Sequence, residues 1–251
     1  MFRGHVAPAA LVLLLGAVTI AVGPADPASA GPPDPVIIVA GTGEPAVVLA
    51  PLAARLRADG YGVWIFELPA LGTIDINVSA ARLNQFADDV RGQTGAGRVD
   101  LVGHSQGGLV ARSYVKYLGG SAEVDSLITL GAPHRGTYVA NLATLVGFGN
   151  CLAIVACQQM TIGSSYLADL NAGDDTIEPV RYTTIRSVTD EIVRPVDTAT
   201  LFDGAVNVLV QQRCWLRIVG HIGLVLDGTV YSGIRQALEG RSPIVLDCWA
   251  A

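Results

Sequence analysis

The sequence is poor in charge. Asp, Glu, Lys and Arg make up 15% of its 251 residues, and a single lysine, Lys116, stands against fifteen arginines. No basic stripe or cluster is present and the formal net charge is −6, which excludes the electrostatic footprint of a nucleic-acid surface. Long apolar runs are missing too. The stretch from Ala9 to Val22 has fourteen residues, short of the roughly 20 that a membrane-spanning helix needs, and no cysteine before residue 151 offers a lipid attachment point. With Arg3 and His5 ahead of it and Ala28-Ser29-Ala30 behind, this stretch reads as a secretory signal peptide, residues 1–30, cleaved after Ala30. A secreted protein without a stable membrane anchor is expected. Its remaining residues, 31–251, suit a single domain with one large core.

Cysteine is scarce and late: Cys151, Cys157, Cys214 and Cys248. No pair has the two-residue spacing of a zinc knuckle and no histidine cluster accompanies them, so no metal site is expected. Four cysteines in an exported chain imply two disulfides. Three pairings are possible. Cys151 with Cys157 and Cys214 with Cys248 are favoured, because each closes a local loop. Apolar residues (51%) and glycine (29 residues) are plentiful, as in a tightly packed protein with many close backbone approaches.

From residue 36 short β-rich apolar runs alternate with longer amphipathic segments, the rhythm of βα units on a mostly parallel sheet with helices on both faces. Strands are expected at Val36 to Ala40, Val63 to Leu68, Val99 to Gly103 and Val124 to Leu130, with helices over 45–58, 79–93 and 106–118. After Pro133 the rhythm breaks. Residues 137–180 form a long connection with an apolar run from Leu142 to Cys157, read either as a buried helix pinned by a small disulfide or as a flap. Strands then resume near Val180 to Ser187 and over 206–219, before a helix near 228–239. Asn77-Val78-Ser79 has the pattern of a glycosylation sequon.

Gly103-His104-Ser105-Gln106-Gly107 fits G-x-S-x-G and sits where a buried strand turns into a helix, the context a nucleophile elbow requires. A serine hydroxyl needs a neighbouring base. Of the three histidines beyond residue 30, His104 should point away from the serine and pack in the elbow, and His134 leaves little chain for an acid before it. His221, in Gly220-His221-Ile222-Gly223, satisfies the order Ser, acid, His. Asp190, just after the strand ending near Ser187, is the preferred acid, with Glu191, Asp174 and Asp175 as alternatives. The developing oxyanion needs donors. One is the N–H of Gln106; the second is expected from Ala40-Gly41-Thr42-Gly43-Glu44-Pro45, where Thr42 offers an N–H and a hydroxyl.

Together with Gly131-Ala132-Pro133-His134-Arg135-Gly136-Thr137 and Ser187-Val188-Thr189-Asp190, these motifs resemble the small secreted bacterial lipases and esterases of the class 2 lipase family. The resemblance implies an α/β-hydrolase fold, a triad of Ser105, Asp190 and His221, and an oxyanion hole at Thr42 and Gln106. It implies an ester hydrolase acting on acylglycerols or simpler esters, with an oil–water interface as one place of contact with its substrate, and needing no cofactor. A monomer is expected. Ala40-Gly41-Thr42-Gly43 departs from the His-Gly of many bacterial members and is more similar to the fungal lipase B type, in which the threonine hydroxyl joins the oxyanion hole. An acyltransferase or a polyester depolymerase would use the same triad, and a non-catalytic hydrolase-like binding protein is the alternative from another class.

Overall fold

The computed structural model describes residues 1–2, 33–140 and 151–250. The expected signal peptide and the first part of the apolar run from Leu142 lie outside the described residues. From Pro33 onward the described chain forms one parallel sheet of six strands: β1 (Val36–Val39), β2 (Val63–Phe66), β3 (Val99–His104), β4 (Val124–Leu130), β5 (Arg181–Arg186) and β6 (Val206–Leu209). Their order across the sheet is β2-β1-β3-β4-β5-β6. The described helices are α1 (Ala46–Ala58), α2 (Ile76–Thr94), α3 (Gln106–Tyr117), α4 (Val155–Gln159), α5 (Ser165–Leu170), α6 (Val210–Arg213) and α7 (Gly228–Leu238).

Side chains alternate across a strand. Accordingly, Val36, Ile38 and Ala40 join a core with residues of α1 and α7, whereas Ile37 and Val39 join a core with α2 and α3. Both faces of the sheet are covered, so its strands read as continuous apolar runs rather than as alternating ones. β1 pairs with β2 on one side and with β3 on the other. The chain therefore leaves β1 in one direction and returns on its other flank. The loops after β1 and β3 diverge from this switch point, where parallel sheets open a crevice beyond their carboxyl ends.

Three expectations shift. α2 begins at Ile76 rather than 79, because the Asp75 side chain accepts the Asn77 N–H (2.7 Å) and caps the helix. The long connection carries α4 and α5 and is pinned by Cys151–Cys157. The strand expected over 206–219 stops at Leu209 and turns into α6. The apolar residues that suggested its continuation, Trp215, Leu216 and Ile218, are 77%, 73% and 81% exposed, so they line no core. Gln211 donates to Ser187 Oγ (2.9 Å) and to Arg217 O (2.8 Å), and Cys214 is bonded to Cys248; these links fold the segment back. Both disulfide pairings are those favoured from the sequence.

Candidate active site

Ser105 follows β3 directly and Gln106 opens α3, so the serine sits at the switch point. Its backbone is held at φ 52° and ψ −126°. A non-glycine residue in such a conformation costs on the order of 1–3 kcal/mol and persists where its surroundings dictate it. Here the Ser105 N–H donates to Leu130 O (2.9 Å), and the Gly108 N–H donates back to Ser105 O (3.1 Å). The turn also needs α3 to press against β1: a Cβ on Gly107 would lie 2.3 Å from the Val39 carbonyl oxygen.

His221 and Asp190 come from loops 31 residues apart, yet His221 Nδ1 lies 2.9 Å from Asp190 Oδ2. The His221 ring is buried, and the carboxylate more so. Asp190 Oδ1 accepts the N–H groups of Ile192 (2.8 Å) and Val193 (2.9 Å). Burial works against ionisation of Asp190, but the His221 hydrogen bond and charge, together with these two N–H donors, outweigh it and hold the carboxyl below its ordinary value. An ionised Asp190 can only accept, so the His221 proton is held on Nδ1 and Nε2 is left basic. Room for the pair comes from Gly131 at φ 54°: a Cβ there would meet Asp190 Oδ2 at 2.8 Å and His221 Nδ1 at 3.3 Å. None of the hydrogen bonds among the described residues joins Ser105 Oγ to His221.

The loop after β1 uses its amides unevenly. Gly41 N–H donates to Glu44 Oε2 (2.7 Å), Gly43 N–H to Leu71 O (2.8 Å) and Glu44 N–H to Gly41 O (3.4 Å). No hydrogen bond among the described residues takes up the N–H of Thr42. The Gln106 N–H belongs to the first turn of α3, whose amides have no helix carbonyl to meet. The Thr42 hydroxyl donates to Gln106 Oε1 (2.5 Å), which ties this loop to the elbow.

The alternative acids are engaged elsewhere. Glu191 Oε2 accepts the backbone N–H of His221 (3.0 Å) and does not touch its ring nitrogens. Asp175 is buried against Arg135 (2.7 Å) and the N–H groups of Phe202 and Asp203 (both 3.0 Å), and Asp174 is exposed. His134 is fully buried on Thr129 Oγ1 (3.0 Å); burial, and then the charges of Arg112 and Arg135, hold its pKa well below the usual value, so it is neutral. Two residues without a chemical role in the sequence reading stand close to the pair. His104 Nδ1 lies 2.9 Å from Glu44 Oε2, and its ring centroid is 4.7 Å from that of His221. Nothing in the local pattern links positions 44 and 104. Among the described residues no group of three His, Cys, Asp or Glu side chains is placed to hold a metal ion.

A family model for palmitoyl protein thioesterases matches residues 70–172, less than half of the chain. A triacylglycerol lipase of Pseudarthrobacter phenanthrenivorans is 30% identical over 135 residues, covering 52% of this chain and 42% of that protein. Lipase B of Pseudozyma antarctica is 28% identical over 223 residues, covering 83% of this chain and 62% of that protein. The chain thus spans less than two thirds of the length of either relative. The crystal structure of Aspergillus fumigatus lipase B superposes with a TM-score of 0.69 at 22% identity, over 85% of this chain and 55% of that one. Taken with the parallel doubly wound sheet and the strand–serine–helix turn at its switch point, these likenesses establish that the chain has the α/β-hydrolase fold.

Proposed function

We propose that this protein is a secreted serine hydrolase that cleaves carboxyl esters of lipid type. The observation that carries the reading is a strained, buried serine at the switch point, its N–H bonded to Leu130, together with a buried histidine that packs on the next residue, Gly131, and whose Nδ1 is held by an ionised aspartate. In the proposed cycle, His221 Nε2 takes the proton of Ser105 as Oγ attacks the ester carbonyl, and Asp190 stabilises the imidazolium. The proton passes to the leaving alcohol, and water, activated by the same base, releases the acid. The N–H groups of Thr42 and Gln106 receive the oxyanion, the latter with the field of the α3 N-terminus behind it. Hydrogen bonds between nucleophile and base often tighten only when substrate binds, so their absence at rest does not count against Ser105. The similarity to lipases supports acyl esters as substrates, and the match to the thioesterase model supports acyl thioesters as a second substrate class for the same residues.

Two disulfides support export, and among the described residues no helix is long and apolar enough to cross a membrane. A fluorophosphonate probe should label wild type at Ser105 and leave Ser105→Ala unlabelled. p-Nitrophenyl esters of rising acyl length, an emulsified triglyceride and an S-acyl substrate should then define the acyl group and the leaving group. Failure of wild type to turn over any of them, or labelling elsewhere, would reject the reading.

A further inference from the structure

His104 is buried with both ring nitrogens engaged. Nδ1 faces Glu44 Oε2 at 2.9 Å, and Nε2 faces the backbone carbonyl oxygen of His221 at 3.1 Å. A carbonyl oxygen can only accept, so Nε2 must carry a proton. Burial opposes ionisation of Glu44, but the hydrogen bond and charge of His104, the Gly41 N–H and the nearby His221 outweigh it and lower its carboxyl below the ordinary value. Against a carboxylate, Nδ1 must donate as well. The pair therefore holds two protons: either both lie on the ring, as an imidazolium against a carboxylate, or one lies on the carboxyl, with Nε2–H unchanged.

We propose that Glu44 and His104 act as a positioning pair, which through one retained proton holds the backbone of His221 and the oxyanion loop in a common register. The role rests on the hydrolase reading above. Glu44 Oε2 accepts from Gly41, one residue before Thr42, and His104 reaches from there to the residue that supplies the base. The N–H of His221 is held by Glu191, its carbonyl by His104 and its ring by Asp190. All three contacts converge on one residue, so the base is fixed at its backbone as well as at its imidazole. The charge arrangement also fits the chemistry. His221 must gain a proton during turnover with the His104 ring 4.7 Å away. A lone imidazolium there would oppose that gain, whereas one neutralised by Glu44 does not. The other charged groups facing the two rings are Asp190 and Glu191. Glu44 Oε1 is buried without a hydrogen-bond partner among the described residues. Keeping an ionised, half-satisfied carboxylate there is costly for a group that merely fills space.

Loss of the pair's proton would set a bare Nε2 lone pair against the His221 carbonyl and push the base away. In Glu44→Gln the amide oxygen still accepts from Gly41 and His104 Nδ1, but the carboxylate charge that favours a second proton on the ring is gone, so a ring that keeps Nδ1–H presents a bare Nε2 to the His221 carbonyl. For hydrolysis of p-nitrophenyl butyrate at pH 8, kcat should fall about 10- to 100-fold, since displacing a catalytic group by about 1 Å costs roughly 100-fold. KM should stay within about threefold, and the loss in kcat relative to wild type should deepen as pH rises. Imidazole 15N NMR of the wild-type protein at pH 8, with His104 assigned from a His104→Gln sample, should show a proton on its Nε2. A bare Nε2 overturns the proposal, as does a Glu44→Gln profile of wild-type shape, even with lowered melting temperature. If Glu44→Gln does not fold, the wild-type spectrum decides. If wild type neither hydrolyses esters nor labels at Ser105, the hydrolase reading fails and the positioning role with it, whatever the spectrum shows.

Discussion

The part of the molecule from β1 to β4 and the part from β5 to the C-terminus place their polar groups by different means. In the first, Thr42, Ser105 and Gln106 sit on turns of a few residues leaving the ends of β1 and β3, and the backbone itself aims them. In the second, Asp190 and His221 sit on longer loops beyond β5 and β6 and are aimed by cross-links: N–H groups on Asp190, Glu191 and His104 on the His221 backbone, and Cys214–Cys248 around the segment that carries the histidine. A turn wedged between a strand and a helix has little freedom to lose. A loop tied by contacts keeps its geometry only while the ties hold. Changes in the first part should therefore strike chemistry and spare the fold, whereas changes in the second should strike both.

The largest effect is expected from Ser105→Ala, on the order of a million-fold in kcat, with a melting temperature near that of wild type. Activity above a few per cent in a pure sample would move the nucleophile elsewhere. Asp190→Asn should lower kcat about 10,000-fold, because the amide can donate to Nδ1 and turn the imidazole to the wrong tautomer; a loss under tenfold would mean another carboxylate supports His221. Thr42→Val comes next. At rest the hydroxyl donates to Gln106, but a developing oxyanion is the stronger acceptor and should draw it away. Removing one such donor costs about 100- to 1000-fold in kcat with little change in KM. Near-normal kcat with a lowered melting temperature would restrict the hydroxyl to tying the loop.

Opening Cys214–Cys248 by a double Cys→Ser change should cost about 2–4 kcal/mol in chemical denaturation and lower kcat as well, because its loop contains His221. Opening Cys151–Cys157 should cost less and leave kcat within a few-fold. Equal effects on kcat would mean that Cys214–Cys248 does not restrain the segment that carries His221. The smallest effect should come from Asp100, on β3 at the end opposite Ser105. Burial pushes its carboxyl up to about 7, although Ser126 hydrogen-bonds to it. A raised carboxyl pKa means that the folded protein holds this proton more tightly than the unfolded chain, so the stability it contributes is present below pH 3.8 and is lost as pH rises through about 7. Asp100→Asn should match wild type in melting temperature near pH 4 and exceed it by roughly 2–8 °C at pH 8. An unchanged difference across that range would mean that Asp100 does not titrate there.

Legibility from the sequence followed the same divide. The strands and helices up to Leu130 were readable because burial on both sheet faces leaves continuous apolar runs, and an elbow needs its small residues at fixed spacing. Beyond residue 200 the cue failed at Trp215, Leu216 and Ile218: an apolar residue on the surface looks the same in sequence as one in the core. Asp190 and Glu191 are adjacent and chemically alike, and which of them meets the His221 ring and which its backbone depends on how two loops cross.

By itself, the sequence determined the order of βα units and the strand–serine–helix turn, and favoured the cysteine pairing that closes local loops, because each rests on residues near one another in the chain. The tertiary structure alone decided that Asp190 faces the ring of His221 while Glu191 holds its backbone, and that Glu44 and His104, sixty residues apart, meet at 2.9 Å beside it. Those pairings exist because the parallel sheet brings the ends of β1 and β3 and the loops beyond β5 and β6 to one edge, where burial makes an unpaired polar group costly and so favours arrangements in which most find a partner.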